Sequence, residues 1–303
     1  MLAKSYLGGK NGLEDTVAKL YALMSPCRLC PRDCGVDRLA GEIGFCGISK
    51  EAKIASSGLH FGEEAPLVGR GGSGTIFLSG CNLGCVYCQN ADISHGRVGR
   101  DYSINELAEK MLALQARGCH NINFVTPTHQ TPVIVDAVVQ AMELGLDLPI
   151  VYNCGGYEKL EVIKLLQNIV DIYMPDIKYG ENEPGETYSK APEYWDICQQ
   201  AIREMHKQVG DLSYQENERT NIAMKGLLAR HLVLPNELAG TRKVLEFLAG
   251  ISESTFVNIM GQYRPCYEAK DIEKLNRRPS PKEMASAFSI ARELKLTRGL
   301  TES

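Results

Sequence analysis

The sequence predicts an α/β fold, a partial barrel of six strand–helix units preceded by a small cysteine-rich N-terminal extension. From residue 74 onward, short apolar runs alternate six times with helical segments, and no Pro-, Gly- or Ser-rich linker divides them. Such alternation builds a parallel sheet with helices outside it. Seven of the eleven cysteines fall between Cys27 and Cys88, which places metal chemistry in the first third. We therefore expect residues 1–73 to hold an N-terminal helix and a metal-binding segment, and residues 74–303 to form the barrel.

Composition excludes several classes of protein. The net charge of −4 is spread along the chain without a basic block, which argues against nucleic acid as a partner. No apolar run approaches the roughly 20 residues that cross a bilayer, and the N-terminus lacks a signal-peptide pattern. We therefore expect a cytoplasmic protein without a membrane partner. Because cytosolic thiols stay reduced, its cysteines favour metal ligation over disulfides.

The extension begins with a helix predicted over residues 13–24 and continues with four cysteines in the spacing C-x2-C-x3-C-x11-C. These are Cys27, Cys30, Cys34 and Cys46, separated by turn-forming Pro and Gly residues. Four thiols close a metal site completely, which favours a structural or electron-relay role. The spacing alone does not distinguish zinc from an auxiliary iron–sulfur cluster, and four unligated thiols remain the alternative.

Residues 54–73 are expected to form a lead-in to the barrel. The glycine-rich run 69–74 lacks the Lys-Ser/Thr of a phosphate-binding loop and precedes a strand, so it predicts a flexible connection. Glu63 and Glu64 have two interpretations at this stage, as solvated loop charges or as side chains that face the active site.

The six units of the barrel follow in order. Strands are predicted at 75–79, 122–125, 149–152, 170–174, 229–234 and 256–260, and helices at 104–117, 132–144, 157–167, 192–207, 241–248 and 281–294. Ser103 is the expected N-cap of the first of these helices. Since six strands do not close a barrel of the eight-stranded kind, we expect a lateral opening.

Three cysteines, Cys81, Cys85 and Cys88, follow the first strand of the barrel directly. Thiolates are soft ligands that suit an iron–sulfur cluster or zinc. A cluster of four irons held by three thiolates leaves one iron open for another ligand. The alternative interpretation is half of a zinc knuckle.

Polar residues occur at the carboxyl ends of all six strands, where βα barrels place their active sites. The strand ends carry the three cysteines, 126–129, 153–156, 175–178, 235–236 and 261–264. Loops are polar in general, so each of these residues is individually a weak candidate.

Five segments extend the argument to a known family: CRLCPRDCGVDRLAGEIGFCG, SGCNLGCVYCQN, VYNCGGYE, DIYMPDIKYG and RHLVLPN. Together they resemble the radical SAM (S-adenosylmethionine) proteins related to pyruvate formate-lyase activating enzyme, in a branch with a cysteine-rich N-terminus. The resemblance implies a partial (β/α)6 barrel of the radical SAM type. It also implies a [4Fe–4S] cluster on Cys81, Cys85 and Cys88, with SAM on the open iron. The implied reaction is reductive cleavage of SAM to methionine and a 5′-deoxyadenosyl radical that abstracts hydrogen.

The resemblance also implies roles for individual residues around the cluster. Tyr87 would contact the adenine of SAM, and Asn153 would lie near its ribose. Arg230 and His231, on the fifth strand, would help to hold SAM. Thr126 or Thr128 would supply an oxygen for its amino group, at the position where many relatives have Gly-Gly-Glu. Asp176 and Lys178 would lie close to the substrate. The alternatives are a surface ion pair for Asp176 and Lys178, and exposed flanking positions for Arg230 and His231.

The expected substrate is a protein or peptide, as in glycyl-radical activation, with an electron donor of flavodoxin or ferredoxin type. The same chemistry on a small molecule or RNA is one alternative, and a non-enzymatic iron–sulfur or zinc module is another. The polar segment 180–192, with Glu181, Glu183 and Glu186, is expected to be a loop that contacts a basic partner segment or remains solvated. The eight-cysteine ferredoxin-like insert of several relatives is missing after Cys88.

Overall fold

A computed structural model describes residues 9–215 and 221–300 of the chain. Its helices are α1 Gly9–Ala22, α2 Ala65–Val68, α3 Ala91–Ser94, α4 Ile104–Ala116, α5 Thr131–Glu143, α6 Leu160–Leu165, α7 Asn182–Ser189, α8 Tyr194–Val209, α9 Thr241–Ile251 and α10 Pro281–Glu293. Its strands are β1 Ala52–His60, β2 Ser73–Leu78, β3 Arg100–Tyr102, β4 Ile122–Val125, β5 Ile150–Cys154, β6 Ile172–Pro175, β7 Ser213–Gln215, β8 Ile222–Leu232 and β9 Phe256–Met260. Within this part of the chain, no helix is both long and apolar enough to span a bilayer.

The predicted α/β fold with a mostly parallel sheet is confirmed. Strands β2, β4, β5, β6, β8 and β9 are neighbours in that order, and each adjacent pair is parallel. Among the described residues β9 pairs with β8 alone, so the sheet does not close and forms a partial barrel. The shared register aligns the carboxyl ends of the strands, with Val125 opposite Asn153 and Cys154 opposite Pro175.

The lead-in expected over residues 54–73 contains most of strand β1, helix α2 and the start of β2. Strand β1 pairs antiparallel with β2 on one side and with β3 on the other, which extends the sheet past its first parallel strand. The chain then turns into the barrel, where Leu67 of α2 is fully buried in one cluster with the inward-facing Val151 and Leu228. Helix α2 therefore lies at the amino-terminal end of the barrel interior, and the burial of Leu67 stabilises this position.

The segment 180–192 is also not the loop that its polarity predicts, because it contains α7. The side chain of Asn182 accepts a hydrogen bond from the Trp195 backbone N–H at 2.8 Å, which links the starts of α7 and α8. At the other end, the Ser189 carbonyl accepts from the Gly84 N–H at 2.8 Å, and the Tyr188 carbonyl accepts from the Val86 N–H at 2.9 Å. The end of α7 is thus fastened to the three-cysteine loop.

Two helix ends show how local sequence and packing position the elements around the site. Helix α4 starts with the predicted Ser103 cap, which forms a reciprocal capping box with Glu106. Helix α1 of the extension packs on α5, where the Tyr21 hydroxyl donates to Asp136 Oδ2 at 3.1 Å. The extension therefore lies against the barrel.

Candidate active site

A cavity of about 290 Å³ lies at the carboxyl ends of the parallel strands. Its walls include all three cysteines of the loop after β2, Cys81, Cys85 and Cys88. They also include six further residues singled out from the sequence, namely Tyr87, Thr126, Asn153, Asp176, Lys178 and Arg230. The fold thus brings together residues that are more than 140 positions apart in the chain.

Each of the three cysteine sulfurs has a hydrogen-bonding neighbour. The Leu83 backbone N–H donates to Cys81 Sγ at 3.3 Å, the Ser189 hydroxyl donates to Cys85 Sγ at 2.9 Å, and the Ser94 hydroxyl lies 3.1 Å from Cys88 Sγ. Donors to sulfur stabilise a thiolate over a thiol. The Ser189 contact joins residues 104 positions apart, so no local pattern could have revealed it.

The charge state of these sulfurs depends on what they bind. Burial, together with the neighbouring Cys85, raises the pKa of the Cys81 thiol to about 12. Burial likewise raises the pKa of Cys85, although the Lys178 ammonium opposes this. A metal ligand must be a thiolate, so metal binding by Cys81 and Cys85 releases protons.

Arg230 is the centre of a mostly buried network at the base of the cavity. Its Nε donates to Asp176 Oδ1 at 2.7 Å, and its Nη2 donates to Asn153 Oδ1 at 2.8 Å. Its Nη1 lies 3.5 Å from carboxylate oxygens of both Glu63 and Glu64. The question that the sequence left open is therefore answered, because both glutamates face the interior beside Arg230.

Two carboxyl groups of this network have perturbed pKa values. Burial alone raises the pKa of Asp176, but Arg230 and Lys178, whose Nζ lies 3.0 Å away, outweigh it and hold that pKa at about 2. Burial raises the pKa of Glu63 to about 7, against the attraction of Arg230. The pKa values of these two carboxyl groups are therefore shifted in opposite directions within one network.

Two residues predicted to bind the cofactor are not brought into the cavity. Thr128 donates from Oγ1 to Glu158 Oε1 at 2.7 Å, on the helix side of the sheet. His231 is fully buried and contacts the Ile177 carbonyl through Nδ1 at 2.7 Å and Thr241 Oγ1 through Nε2 at 2.9 Å. For His231, the alternation of side chains along a strand explains the position. Arg230 faces the interior of the barrel, so the next residue, His231, must face outward.

Tyr87 is fixed by other aromatic residues. Its hydroxyl donates to the Tyr179 hydroxyl at 2.7 Å, and its ring packs edge-on against Tyr263 at 5.8 Å. Tyr179 lies 2.7 Å from Ser189 Oγ, which connects this pair to the Cys85 sulfur. The Tyr87 side chain is therefore linked through Tyr179 and Ser189 to Cys85, and these contacts stabilise the cysteine loop.

Glu158 is a buried carboxyl group that the sequence analysis missed. It accepts from Thr128 Oγ1 at 2.7 Å and from the Tyr152 hydroxyl at 3.1 Å. Burial raises its pKa to about 8, although these hydrogen bonds oppose the rise. Glu158 is therefore mostly neutral at pH 7, and it orients the loop after β4 that carries Thr126.

This buried carboxyl predicts a pH dependence of stability. Between its ordinary pKa of 4.5 and its folded-state pKa of about 8, the native state holds a proton that the unfolded chain releases. The free energy of unfolding should therefore fall as pH rises through this window, by up to ~1.4 kcal/mol per pH unit from this group. Glu158→Gln should remove that slope and exceed the wild type in stability at pH 8. Urea unfolding at pH 5 and pH 8 measures this slope, and Glu161→Gln, which changes an exposed carboxyl group, is the control. Equal slopes in the wild type and both variants would contradict the assignment of the pH dependence to Glu158.

The four cysteines of the extension lie together beside this site, with Cys27, Cys30 and Cys46 buried and Cys34 half-buried. The described residues bring no three His, Cys, Asp or Glu side chains close enough to share a single metal ion. The donor set of the extension is four thiols, which both zinc and iron–sulfur clusters use.

Comparison with known proteins agrees with this geometry. The sequence model of the Radical SAM superfamily matches residues 75–214. An uncharacterized protein of Methanocaldococcus jannaschii is 35% identical over 278 residues, which are 89% of this chain and 75% of that protein.

Two solved structures are similar in fold. One is HydG, a maturase of the [FeFe]-hydrogenase, with a TM-score of 0.51 at 14% identity over 75% of this chain and 50% of that chain. The other is the radical S-adenosylmethionine methyltransferase TsrM from Kitasatospora setae, with a TM-score of 0.49 at 14% identity over 74% of this chain and 52% of that chain. This chain thus spans about half the length of each. The likeness to HydG, at 14% identity, concerns the fold alone.

Proposed function

The chain belongs to the radical SAM superfamily, and on that premise we propose that it uses its central cavity to cleave SAM and abstract hydrogen from a protein or peptide. Membership implies an enzyme, a [4Fe–4S] cluster and SAM. The observation that carries the proposal is the convergence of three thiols and the Asp176–Arg230–Lys178 network on one cavity of about 290 Å³.

The residues present fit the cluster. Three cysteine sulfurs line one wall, each has a hydrogen-bonding neighbour, and the Lys178 cation lies within electrostatic range of Cys81 and Cys85. Cys81, Cys85 and Cys88 would hold three irons and leave the fourth for SAM. The bound cluster supplies the electron that splits SAM into methionine and a 5′-deoxyadenosyl radical.

The residues of the chain position SAM around that centre. Asn153 and Arg230 present polar groups at the base of the cavity, and Thr126 lines it at the end of β4 with a left-handed backbone (φ 62°). This conformation is uncommon for a β-branched residue and turns the chain sharply at the cavity edge. We propose that these three residues contact SAM, and that Asp176 holds Arg230 in place.

The open side of the barrel supports the proposed substrate class. Strand β9 has no strand partner beyond β8 among the described residues, and β1 and β3 continue the sheet past β2, so a gap remains between β9 and this β1–β3 edge. We propose that a protein or peptide segment reaches the cavity through this gap. The acidic residues of 180–192 do not support the contact expected from sequence, since Glu181 pairs with Lys243 and the end of α7 fastens the cysteine loop. We therefore assign partner contact to the gap rather than to that segment.

Anaerobic reconstitution with iron and sulfide, followed by dithionite and SAM, tests the reaction. The wild type should form 5′-deoxyadenosine, and Cys85→Ala should form none above background. Deuterium-labelled glycyl-radical proteins or peptides then test the substrate class, because abstraction transfers deuterium into 5′-deoxyadenosine. Deuterium transfer from a labelled low-molecular-mass fraction alone would contradict a protein substrate.

The Ser189 hydroxyl should tune the cluster. Ser189→Ala removes the 2.9 Å donor to Cys85 Sγ, and hydrogen bonds to ligand sulfur raise a cluster's reduction potential. We expect a more negative potential and SAM cleavage reduced by roughly tenfold or more, as is typical for outer-sphere partners of metal ligands. Ser254→Ala, an exposed hydroxyl on the loop before β9, is the control. An unchanged potential in Ser189→Ala would show that the contact has no influence on the cluster.

A further inference from the structure

The four thiols of the extension form one folded unit. The Cys27 N–H donates to the Val36 carbonyl at 2.8 Å, and the Gly35 N–H donates to the Cys27 carbonyl at 3.0 Å, which joins Cys27 to the turn after Cys34. The Phe45 N–H donates to Cys34 Sγ at 3.4 Å, which brings the loop before Cys46 onto Cys34. Cys30 lies within electrostatic range of the other three.

Two buried or half-buried guanidinium groups lie beside these thiols without a carboxylate partner. Arg38, only 1% exposed, donates to the carbonyls of Ser49 and His129, and its charge acts on Cys46. Arg32 acts electrostatically on Cys30 and Cys34. In the described part of the chain neither guanidinium forms an ion pair with Asp or Glu, and an unpaired buried charge is costly. A metal centre with four thiolates carries net negative charge and would supply the missing counter-charge.

Arg32 also connects the four-cysteine unit to the active site. Arg32 Nε donates to the Asn82 carbonyl, next to Cys81, at 2.8 Å, and its charge also acts on Cys81. Its guanidinium stacks on Phe45 at 3.7 Å. A Cβ placed on Gly80 would lie 2.7 Å from the Cys46 carbonyl oxygen, so the two cysteine-bearing backbones are in direct contact there.

The contact between the two cysteine segments favours a redox centre over a purely structural one. Arg32 and Gly80 place the four-thiol unit directly beside the three-cysteine loop, where an iron–sulfur cluster can pass electrons to the active site. We propose that Cys27, Cys30, Cys34 and Cys46 bind a second iron–sulfur cluster that relays electrons to the active site. One electron enters from a reduced protein of flavodoxin or ferredoxin type and leaves to the three-cysteine cluster, with no atom transferred. The destination of this electron rests on the proposed function, whereas the existence of the second cluster does not.

Metal and sulfide analysis of anaerobically reconstituted protein tests the second cluster. We expect about eight iron and eight sulfide per chain in the wild type, and about four of each in the Cys81/Cys85/Cys88 triple Ala variant and in Cys30→Ser/Cys46→Ser. Cys119→Ser, a buried thiol outside both sets, should retain about eight. One zinc without sulfide in the triple variant, or no metal there while its circular dichroism matches the wild type, would overturn the proposal. The wild type carries no substitution that could disturb folding. An iron content of about four per chain in the wild type would therefore also overturn the proposal.

The relay is tested by changing the electron source. With reduced flavodoxin as donor, 5′-deoxyadenosine formation by Cys30→Ser/Cys46→Ser should fall by about tenfold or more relative to Cys119→Ser. With dithionite, a small reductant that reaches the active site directly, the two variants should differ by less than about threefold. Equal flavodoxin-driven rates would overturn the relay. Failure of the wild type to form any 5′-deoxyadenosine would instead count against the proposed function and leave the iron count standing.

Discussion

Replacing Arg230 with Gln is expected to lower the free energy of unfolding by about 3–5 kcal/mol, the usual cost of removing one partner from a buried ion pair. The guanidinium faces Asp176 at 2.7 Å and lies 3.5 Å from Glu63 and from Glu64. Without it, three carboxylates share a mostly buried site with Lys178 as the remaining cation. Urea unfolding at pH 7 measures the change.

Matched variants separate charge from general disruption. Arg242→Gln removes a half-exposed ion pair with Glu293 and should cost under ~1 kcal/mol. The double variant Arg230→Gln/Asp176→Asn should recover part of the loss, because the two residues interact directly. A loss in Arg230→Gln no larger than that in Arg242→Gln would show that the network is solvated and does not depend on this charge.

Gly80→Ala is expected to lower stability by about 3 kcal/mol or more and to reduce the iron bound by both cysteine sets. Gly80 has φ 79°, and a Cβ there would lie 2.7 Å from both the Cys46 carbonyl oxygen and Ile48 Cγ1. The residue stands where the extension touches the cysteine loop, so the methyl group must push the two apart. Unfolding curves and iron content measure the effect.

Gly118→Ala provides the control for this change. Gly118 has a similar backbone, with φ 84°, but a Cβ at that position would have no heavy atom of another segment within 4 Å among the described residues. It should cost only the strain of a left-handed L-residue, about 1–2 kcal/mol, and should leave iron content unchanged. Equal effects of the two substitutions would mean that backbone strain, rather than contact between the two segments, determines the loss at Gly80.

The barrel was predictable from sequence because its strands are buried on both faces. Strands 122–125 and 256–260 are short, mostly apolar runs that each contain one Asn, and the structure places them at those bounds. The start of α4 was equally visible, since Ser103 and Glu106 form a local capping box. The three cysteines, and the polar residues at the strand ends, could be placed at one edge because parallel strands share it.

The remaining features depend on contacts between distant segments. Strand β1 contains Ser56, Ser57 and Gly58, which are not a strand signal, and it is held by hydrogen bonds to strands on both sides. Helix α7 includes Pro184 and Gly185, so packing on α8 rather than propensity determines it. The pairing of Ser189 with Cys85 arises only once the chain has folded, which is why the sequence could point to the three cysteines but not to their hydrogen-bonding partners.

The central claim is that three cysteines leave one iron of the cluster open for SAM. Electron paramagnetic resonance of the reduced protein with SAM labelled by ¹⁷O in the carboxylate and ¹⁵N in the amino group tests it most directly. We expect hyperfine coupling from both labels to the cluster, absent in Cys85→Ala. No coupling from either label, under conditions where equilibrium dialysis shows SAM bound to the reduced protein, would contradict it.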